Sequence, residues 1–532
     1  MFQIKQFSNK QIRPILLSLL LILPLARVYA EDSVPWALRD HYSFSAEHAK
    51  FMFDLKSAEW RVEVPGRGAV IDGAQCEIEF ADGKVLRLSS LSAVRDEREK
   101  FSGPMGDGTH FRSFFQTDRG LEIGYSIARF KERPFLLIYI TLKNTGEEPI
   151  EIKEIRPVVC DPGTLNPLSE KTKITRLRIG HRGIFPMIHS ADSASLIRFA
   201  LSSPDVTFGI GFLQSGLTKS FIDLQESNGV WSGRAVCEYE PSLRIEPGES
   251  IGADPIWLSF SMAESGIVQQ HHSWAESAGT PAFNVKAVPS GWITVEPQQP
   301  VTVLYEAARK WKGANVNHVL VPDGWEQRPG SLRGQSPSYP RNMENVATKL
   351  RSMGMRPGIT VDPLAVVGAK KAWVKSGEDG TFWLDITNPR ARDYGVLRME
   401  KVAAWGFQFF VVKPSSIPDD VLRHFNITRA QADSYALQMA ARAAGGRPVL
   451  PTASLTLGND VLKWQRAASY TEYYEEYGLV AGPIRLRVDG LEKLSPALTA
   501  AIGQFSGPVE LIGLPRKKVR RDIASLRFNA KQ

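Results

Sequence analysis

The chain has 532 residues, of which 43% are hydrophobic, 10% aromatic and 23% charged, a globular composition that excludes collagen-like, low-complexity and disordered classes. Its 65 basic and 57 acidic residues give a formal net charge of +8, but residues 1–30 hold four basic residues and no acidic one. The remainder therefore carries 61 basic against 57 acidic groups, a net charge of +4, which gives no reason to expect a nucleic acid as partner.

The first 30 residues have the pattern of a secretory signal peptide. Lys5, Lys10 and Arg13 precede an apolar run at positions 15–23, and the segment ending at Ala30 offers a small-residue cleavage site. The run is shorter than the roughly 20 residues that a bilayer-spanning helix needs. We therefore expect residues 1–30 to be removed on export to the periplasm or the cell exterior, and the mature chain to have no membrane span.

Residues 31–278 are predicted to form an antiparallel β-sandwich followed by a linker helix near its end. Short apolar or alternating runs, such as 75–80, 135–142 and 150–155, are separated by turn signals such as Asp82-Gly83. Three cysteines, Cys76, Cys160 and Cys237, lie in this half. An odd number leaves at least one thiol free and leaves open whether one disulfide forms.

Residues 279–515 are predicted to form a (β/α)8-type TIM barrel, complete or incomplete. Helix-like stretches such as 343–351 and 393–405 alternate with apolar strand candidates at 291–294, 318–321, 356–361, 407–412, 448–450, 483–488 and 508–512. This alternation indicates a parallel sheet covered on both faces. Residues 516–532, with seven basic residues and one aspartate, are predicted to be a solvated basic tail.

No motif for a cofactor or a metal ion is found. The sequence has no Walker loop, no Gly-x-Gly-x-x-Gly and no His-Glu-x-x-His, and the cysteines are too widely spaced for a zinc motif. We therefore expect neither a cofactor nor a metal ion. Asn426-Ile427-Thr428 fits the N-glycosylation sequon, a pattern that is frequent by chance.

Polar side chains directly follow several predicted strands of the barrel. The carboxyl ends of parallel strands meet at one mouth, where carboxylates could transfer protons and tryptophan rings could stack on sugars. An aspartate at such a junction is also a common helix N-cap, so each is weak evidence by itself. The candidate residues are Trp292, Asp323, Trp325, Asp362, Lys413, Ser415 and Asp460.

Four motifs resemble, in order and spacing, the successive barrel motifs of the α-galactosidases and raffinose synthases of glycoside hydrolase family 36. They are Pro-Ser-Gly-Trp at 289–292, Val-Pro-Asp-Gly-Trp at 321–325, Leu-Arg-Ser-Met-Gly-Met-Arg-Pro-Gly at 350–358 and Trp-Leu-Asp-Ile-Thr-Asn-Pro at 383–389. The resemblance implies an N-terminal supersandwich, a TIM barrel and a galactose-containing oligo- or polysaccharide as ligand. It also implies that Asp323 and Lys413 contact that sugar.

The chain departs from the family where the chemistry is expected. In the family the fourth strand ends in Lys-x-Asp, whose aspartate is the nucleophile of a retaining mechanism; here Lys413 matches and Ser415 stands at the nucleophile position. The second-strand motif has two aspartates in the family, but Pro322 replaces the first of them here. Asp460 is the residue nearest to the place of the family's acid/base aspartate, in a loop that lacks the expected glycine run.

Three functions therefore stay open at this point. The chain could be an exported, catalytically impaired protein that binds the glycan through Asp323, Lys413 and the tryptophans. It could be an active glycoside hydrolase with relocated carboxylates, Asp323 and Asp362, although Asp362 precedes Pro363 and a turn-capping role is the simpler interpretation. It could also be a non-catalytic structural or scaffold protein.

Overall fold

The computed structural model describes residues 41–526 apart from several segments. The segments left out are 47–48, 67, 104–105, 132, 134, 167–172, 178–192, 195, 202–205, 213–217, 262–288, 313, 315, 414–415, 452–454, 457–483, 490 and 505–508. The predicted signal peptide and linker helix lie outside the described residues. Within the described part, no helix is both long and apolar enough to cross a membrane.

Residues 41–261 form two antiparallel sheets. The strands are β1 (His41–Ala46), β2 (Ala49–Asp54), β3 (Trp60–Val64), β4 (Gly68–Phe80), β5 (Val85–Arg87), β6 (Ala93–Gly103), β7 (Gly106–Gln116), β8 (Leu121–Phe130), β9 (Phe135–Asn144), β10 (Ile150–Leu165), β11 (Lys173–Leu177), β12 (Ser193–Ala194), β13 (Leu196–Leu201), β14 (Val206–Phe212), β15 (Lys219–Ser227), β16 (Val230–Ile245), β17 (Ser250–Gly252) and β18 (Ile256–Ser261). One sheet has the order β1-β2-β3-β4-β10-β16-β15-β12 and the other β11-β13-β14-β18-β9-β8-β7-β6. β5 and β17 pair with β4 and β9 at their sides.

The two sheets share one apolar core. Phe53 and Ile78 of the first sheet and Ile123 and Ile138 of the second belong to the same cluster of buried side chains. Alternation along each strand provides this face, because successive side chains point to opposite sides of a sheet. All three cysteines are buried in this region and none forms a disulfide.

Residues 289–526 form a parallel sheet with helices between its strands. The strands are β19 (Gly291–Thr294), β20 (His318–Val321), β21 (Arg356–Val361), β25 (Phe409–Val412), β26 (Val449–Pro451), β27 (Leu455–Thr456), β28 (Ile484–Arg487) and β29 (Val509–Ile512). The helices are α1 (Val301–Trp311), α2 (Glu344–Ser352), α3 (Pro389–Ala404), α4 (Asp419–Phe425), α5 (Arg429–Ala443), α6 (Pro496–Gln504) and α7 (Lys517–Ser525). All seven predicted strand positions are confirmed.

The strand order brings the first and last strands of this sheet together. The order is β26-β25-β21-β20-β19-β29-β28-β27, and β19 pairs in parallel with both β20 and β29. A small antiparallel sheet, β22 (Ala365–Val366), β24 (Phe382–Leu384) and β23 (Val374–Ser376), follows β21. One face of the parallel sheet packs against the helices, whereas Trp292, Leu320, Phe409, Val411 and Leu450 form a separate cluster. Alternate residues of each strand therefore supply two distinct cores.

The predicted basic tail is wrong for residues 517–525, which form helix α7. Val519 and Ile523 have no exposed surface and belong to the core of the parallel sheet, while Lys517 and Lys518 are exposed. The Arg520 side chain also donates to the backbone carbonyl of Lys312, at 2.5 Å. The prediction was wrong because the basic residues occupy only one face of an amphipathic helix, whose other face is apolar and buried.

Candidate functional site

The carboxyl ends of β20 and β25 bring Asp323 and Lys413 together. Lys413 Nζ lies 3.1 Å from Asp323 Oδ2, with 27% and 52% of the two side chains exposed. The backbone places Lys413 there, because Lys413 N donates to Val361 O at 3.0 Å and extends the ladder between β21 and β25. Burial acts against the charged ammonium, but nearby carboxyl groups, above all Asp323, more than offset it, so the pKa of Lys413 is raised.

Asp362 follows β21, the strand between those two, and is 9% exposed. Its Oδ1 accepts hydrogen bonds from Leu364 N at 3.1 Å and Ala365 N at 3.3 Å, and its buried Oδ2 has no hydrogen-bond partner among the described residues. Burial raises the pKa of Asp362, while the charge of Lys413 and the two backbone N–H groups act in the opposite direction. The turn-capping role expected from the sequence is therefore present, but it uses only one of the two oxygens.

Two further charged residues, Glu326 and Arg398, stabilise the loops after β20 and β21, and Arg398 bridges the two loops. Glu326 accepts from the backbone N–H groups of Gly330, at 3.0 Å, and Leu332, at 2.8 Å. Arg398, buried on α3, donates to Gly330 O and, at 2.6 Å, to Ala365 O. The loops are in close contact here, since a Cβ on Gly330 would lie 2.3 Å from the backbone of Ala365. Burial raises the pKa of Glu326.

Two further ion pairs involve β28, one at its carboxyl end and one within the strand. Arg487 Nη2 lies 2.7 Å from Glu296 Oε1, and Arg485 Nε lies 2.8 Å from Glu510 Oε2. Glu510 is in register with Trp292 on one side and with Arg485 on the other, so these three side chains point to the same face of the sheet. Each of the cations Lys413, Arg485 and Arg487 thus has a carboxylate partner.

The two tryptophans predicted to contact sugar are instead packed in the interior. Trp292 is fully buried against Phe409, with ring centroids 5.6 Å apart. Trp325 is 2% exposed, donates from Nε1 to Thr360 O at 2.8 Å and makes an edge contact with Trp405. Neither ring has an open face, and we correct both predictions. The physical reason is that their neighbours in space, which the local sequence does not reveal, cover both faces.

Ser415 and Asp460 lie outside the described residues. Of the seven candidates, the structure brings Asp323, Asp362 and Lys413 to one place. Among the described residues, no group of three or more His, Cys, Asp or Glu side chains could hold a metal ion.

Sequence reasoning missed Glu296, Glu326, Arg398 and Arg487. Arg398 carried a usable signal: it occupies a position three residues after Gly395 and four before Val402, both buried on α3, so a charge stood in the apolar stripe of a helix. Glu326 directly follows the Asp-Gly-Trp motif but gives no periodic signal. Glu296 and Arg487 come from opposite ends of the barrel sequence and meet only because β19 and β28 flank β29.

The fold is that of the family 36 glycosidases. No protein-family model matches the chain, and no curated protein matches it in sequence. Solved structures do match over nearly the whole chain, with sequence identities so low that the similarity establishes the fold alone.

Three of these structures illustrate the similarity. A variant of the α-galactosidase AgaA from Geobacillus stearothermophilus, in complex with stachyose, has a TM-score of 0.56 at 11% identity, over 92% of this chain and 86% of that chain. The galactosidase domain of the α-galactosidase-sucrose kinase AgaSK gives 0.56 at 11%, over 93% and 85%. The α-N-acetylgalactosaminidase NagBb from Bifidobacterium bifidum, in a GalNAc complex, gives 0.54 at 12%, over 92% and 93%.

Proposed function

We propose that the chain is an exported carbohydrate-binding protein of α-galactosidase-like architecture, which binds a galactose-containing glycan and has lost the retaining hydrolytic mechanism. The observation that carries this proposal is the Asp323–Lys413 pair at the carboxyl ends of the parallel strands. A half-exposed carboxylate can accept hydrogen bonds from vicinal sugar hydroxyls, and the ammonium can donate to their oxygens. The complexes of the structural neighbours with stachyose and GalNAc support a ligand of this class.

The proposal includes the finer architecture of both regions. The two antiparallel sheets form a sandwich around their common core, and the parallel sheet closes into a barrel. β26 and β27 stand at the two ends of the strand order, but only residues 452–454 separate them in the chain. A crossover between parallel strands needs about a dozen residues, so β26 and β27 are two parts of one strand position. In the part of the region that the structure describes, eight strands then occupy seven positions of a closed ring.

Loss of hydrolysis follows from the residue at the nucleophile position. A retaining glycosidase needs two carboxyl groups about 5 to 5.5 Å apart, one of which forms the glycosyl ester. Ser415 matches that position in the family motif and has no carboxylate to offer. A serine hydroxyl needs a base beside it to attack, and the Lys-Pro-Ser-Ser segment provides none.

A glycan-array screen of the mature chain, combined with an aryl α-galactoside assay, tests this function. We expect binding of α-galactosides without release of the aryl group, and loss of binding in Lys413→Met. Glu306→Gln, which removes an exposed ion pair with Lys310 on α1, is the matched control and should bind like the parent. The absence of both glycan binding and release of the aryl group would favour the scaffold hypothesis instead.

One observation favours a second function, that of a glycoside hydrolase with relocated carboxylates. Asp362, with its raised pKa, is electrostatically coupled to Asp323, and glycosidases commonly use one protonated and one ionised carboxyl group. Under this hypothesis the parent releases the aryl group slowly and Asp362→Asn does not. Hydrolysis unchanged in Asp362→Asn would exclude it.

A further inference from the structure

The buried carboxyl group of Asp362 has no described partner that would stabilise a negative charge on Oδ2. Its Oδ2 is buried and makes no hydrogen bond among the described residues, while Oδ1 is fully used by two backbone N–H groups. An ionised carboxylate left in this state is strongly unfavourable, because buried charges need partners to replace lost water. Among the described residues nothing stabilises a negative charge on Oδ2, whereas a proton on the carboxyl group removes that charge.

The ammonium group of Lys413, whose charge acts on Asp362, forms its ion pair with Asp323 instead. Lys413 stands next to Asp362 in the strand ladder, yet its Nζ pairs at 3.1 Å with Asp323, whose side chain is half exposed. If both aspartates were ionised, the buried and otherwise unpaired one would be the stronger attractor, because water screens the exposed one. The observed pairing is the low-energy arrangement when Asp362 is neutral.

The other charges around Asp362 fit the same assignment. Glu326, in the loop after β20, adds negative charge, and Arg398, from α3, adds positive charge. Arg398 is engaged with two backbone carbonyls, Gly330 O and Ala365 O, and interacts with Glu326. Burial, the largest influence, raises the pKa of Asp362 above its ordinary value.

We propose that Asp362 is a proton-bearing positioning residue, which stays neutral so that Lys413 holds Asp323 in place to accept sugar hydroxyls. Ionisation of Asp362 draws Lys413 towards the buried carboxylate and releases Asp323, so only the neutral form of Asp362 supports tight binding. The effect on sugar affinity rests on the proposed sugar-binding function. The protonation state of Asp362 does not, and it can be tested without any ligand.

The direction of the pH dependence follows from the raised pKa of Asp362. The folded chain holds this proton at pH values where the unfolded chain, with the ordinary aspartate value, has lost it. The contribution to stability is therefore fully present below about pH 4 and is lost as the pH rises through the folded-state pKa. Sugar affinity follows the same group and falls about tenfold per pH unit above that pKa.

Infrared difference spectroscopy of the unliganded parent against Asp362→Asn tests the proton directly. Asparagine keeps the acceptor for Leu364 N and Ala365 N and is always neutral. We expect the parent, at a pH just above the ordinary pKa of an aspartate, to show the carbonyl band of a protonated carboxyl group that the variant lacks. Absence of that band overturns the proposal, whatever the sugar result. If that variant does not fold, Asp362→Ser, which is also neutral and keeps an oxygen acceptor for the two N–H groups, replaces it in the same comparison.

Calorimetric titration with stachyose between pH 5 and pH 9 tests the consequence. We expect the parent to lose affinity as the pH rises and Asp362→Asn to bind with equal affinity throughout. Asp54→Asn is the matched control, because Asp54 Oδ1 likewise accepts from the backbone two and three residues later, at Lys56 and Ser57. The control should keep the pH dependence of the parent. Weaker binding in Asp362→Asn, or an unchanged pH dependence, contradicts the inference, whereas no binding by the parent at any pH refutes the proposed function alone.

Discussion

The Asp323–Lys413 pair contributes little to the stability of the fold. It matters because it places two partly exposed charged groups at the carboxyl ends of the parallel strands. More than a quarter of each side chain is exposed, and ion pairs with this degree of exposure stabilise a protein by about 0 to 1 kcal/mol. A ligand can therefore exchange hydrogen bonds with both groups at small cost. Asp362, one strand away, is buried and contributes to the same site through its protonation state.

At this scale we expect Asp323→Asn to weaken stachyose binding at least tenfold while changing stability by no more than about 1 kcal/mol. The amide removes the charge that most raises the pKa of Lys413, so that pKa should fall. Calorimetric titration and urea unfolding measure the two effects. Glu306→Gln loses a comparable exposed pair on α1 and should alter neither by more than the experimental error. Equal loss of binding in both variants would contradict the assignment of the site.

Among the contacts between elements, Asn426 connects the region of the parallel sheet to the antiparallel region by two hydrogen bonds. Asn426 is the C-cap of α4 with φ of 52°, and its side chain accepts from Arg244 N at 3.1 Å and donates to Arg244 O at 2.7 Å. β15 pairs with β16 only as far as Glu238, and the Asn426 amide pairs with the backbone of β16 beyond that point. Because Nδ2 already donates to Arg244 O, we expect the Asn426 sequon to carry no glycan.

Comparison of Asn426→Gly with Asn426→Ala separates the two roles of this residue. Glycine tolerates the left-handed conformation and loses only the two hydrogen bonds, so we expect a loss of about 1 to 2 kcal/mol. Alanine should lose about 1 kcal/mol more, because its Cβ disfavours positive φ. Urea unfolding of protein from a host that does not glycosylate gives both values. Equal stability of the parent and Asn426→Gly would show that the contact with Arg244 contributes nothing.

Helix α7 is expected to be essential to the packing of the parallel sheet. Val519→Asp places a charge in the apolar core and should lower stability by several kcal/mol, while Lys518→Asp, one residue away and exposed, should change it by less than about 0.5 kcal/mol. Deletion of residues 516–532 should act like Val519→Asp. Thermal unfolding distinguishes the outcomes. A truncated chain as stable as the parent would restore the interpretation of this segment as a tail.

On the scale of the whole molecule, the large antiparallel core is built without a covalent cross-link. Cys76, Cys160 and Cys237 are buried and unbonded, and burial raises the pKa of Cys160 to about 12 and those of the other two thiols further. Thiols that are buried and protonated react slowly, since the thiolate is the nucleophile.

We therefore expect Ellman's reagent to find no reactive thiol in the native protein and three in denaturant, without prior reduction. Titration of the chain purified under oxidising conditions measures this. Fewer than three thiols in denaturant would mean that a disulfide joins two of the cysteines. A thiol that reacts rapidly in the native state would mean that the core of the antiparallel region opens on that timescale.

The sequence by itself determined the order and type of most described elements, but not helix α7 or the small sheet β22–β24. Period-two alternation broken by turns predicted the antiparallel region, and apolar runs such as 356–361 and 407–412 predicted the parallel strands, because these patterns record local geometry. It also placed Asp323, Asp362 and Lys413 correctly at strand ends, since a short motif moves with its strand.

Only the tertiary structure decided what each of these residues does. Asp323 and Asp362 follow neighbouring strands in the same way, yet one is half exposed and paired and the other is buried and unpaired. Trp292 and Trp325 are core residues, and the apolar face of α7 packs in the core of the parallel-sheet region. Burial and charge pairing depend on segments distant in the chain, and no local pattern encodes which of those segments will lie above a given side chain.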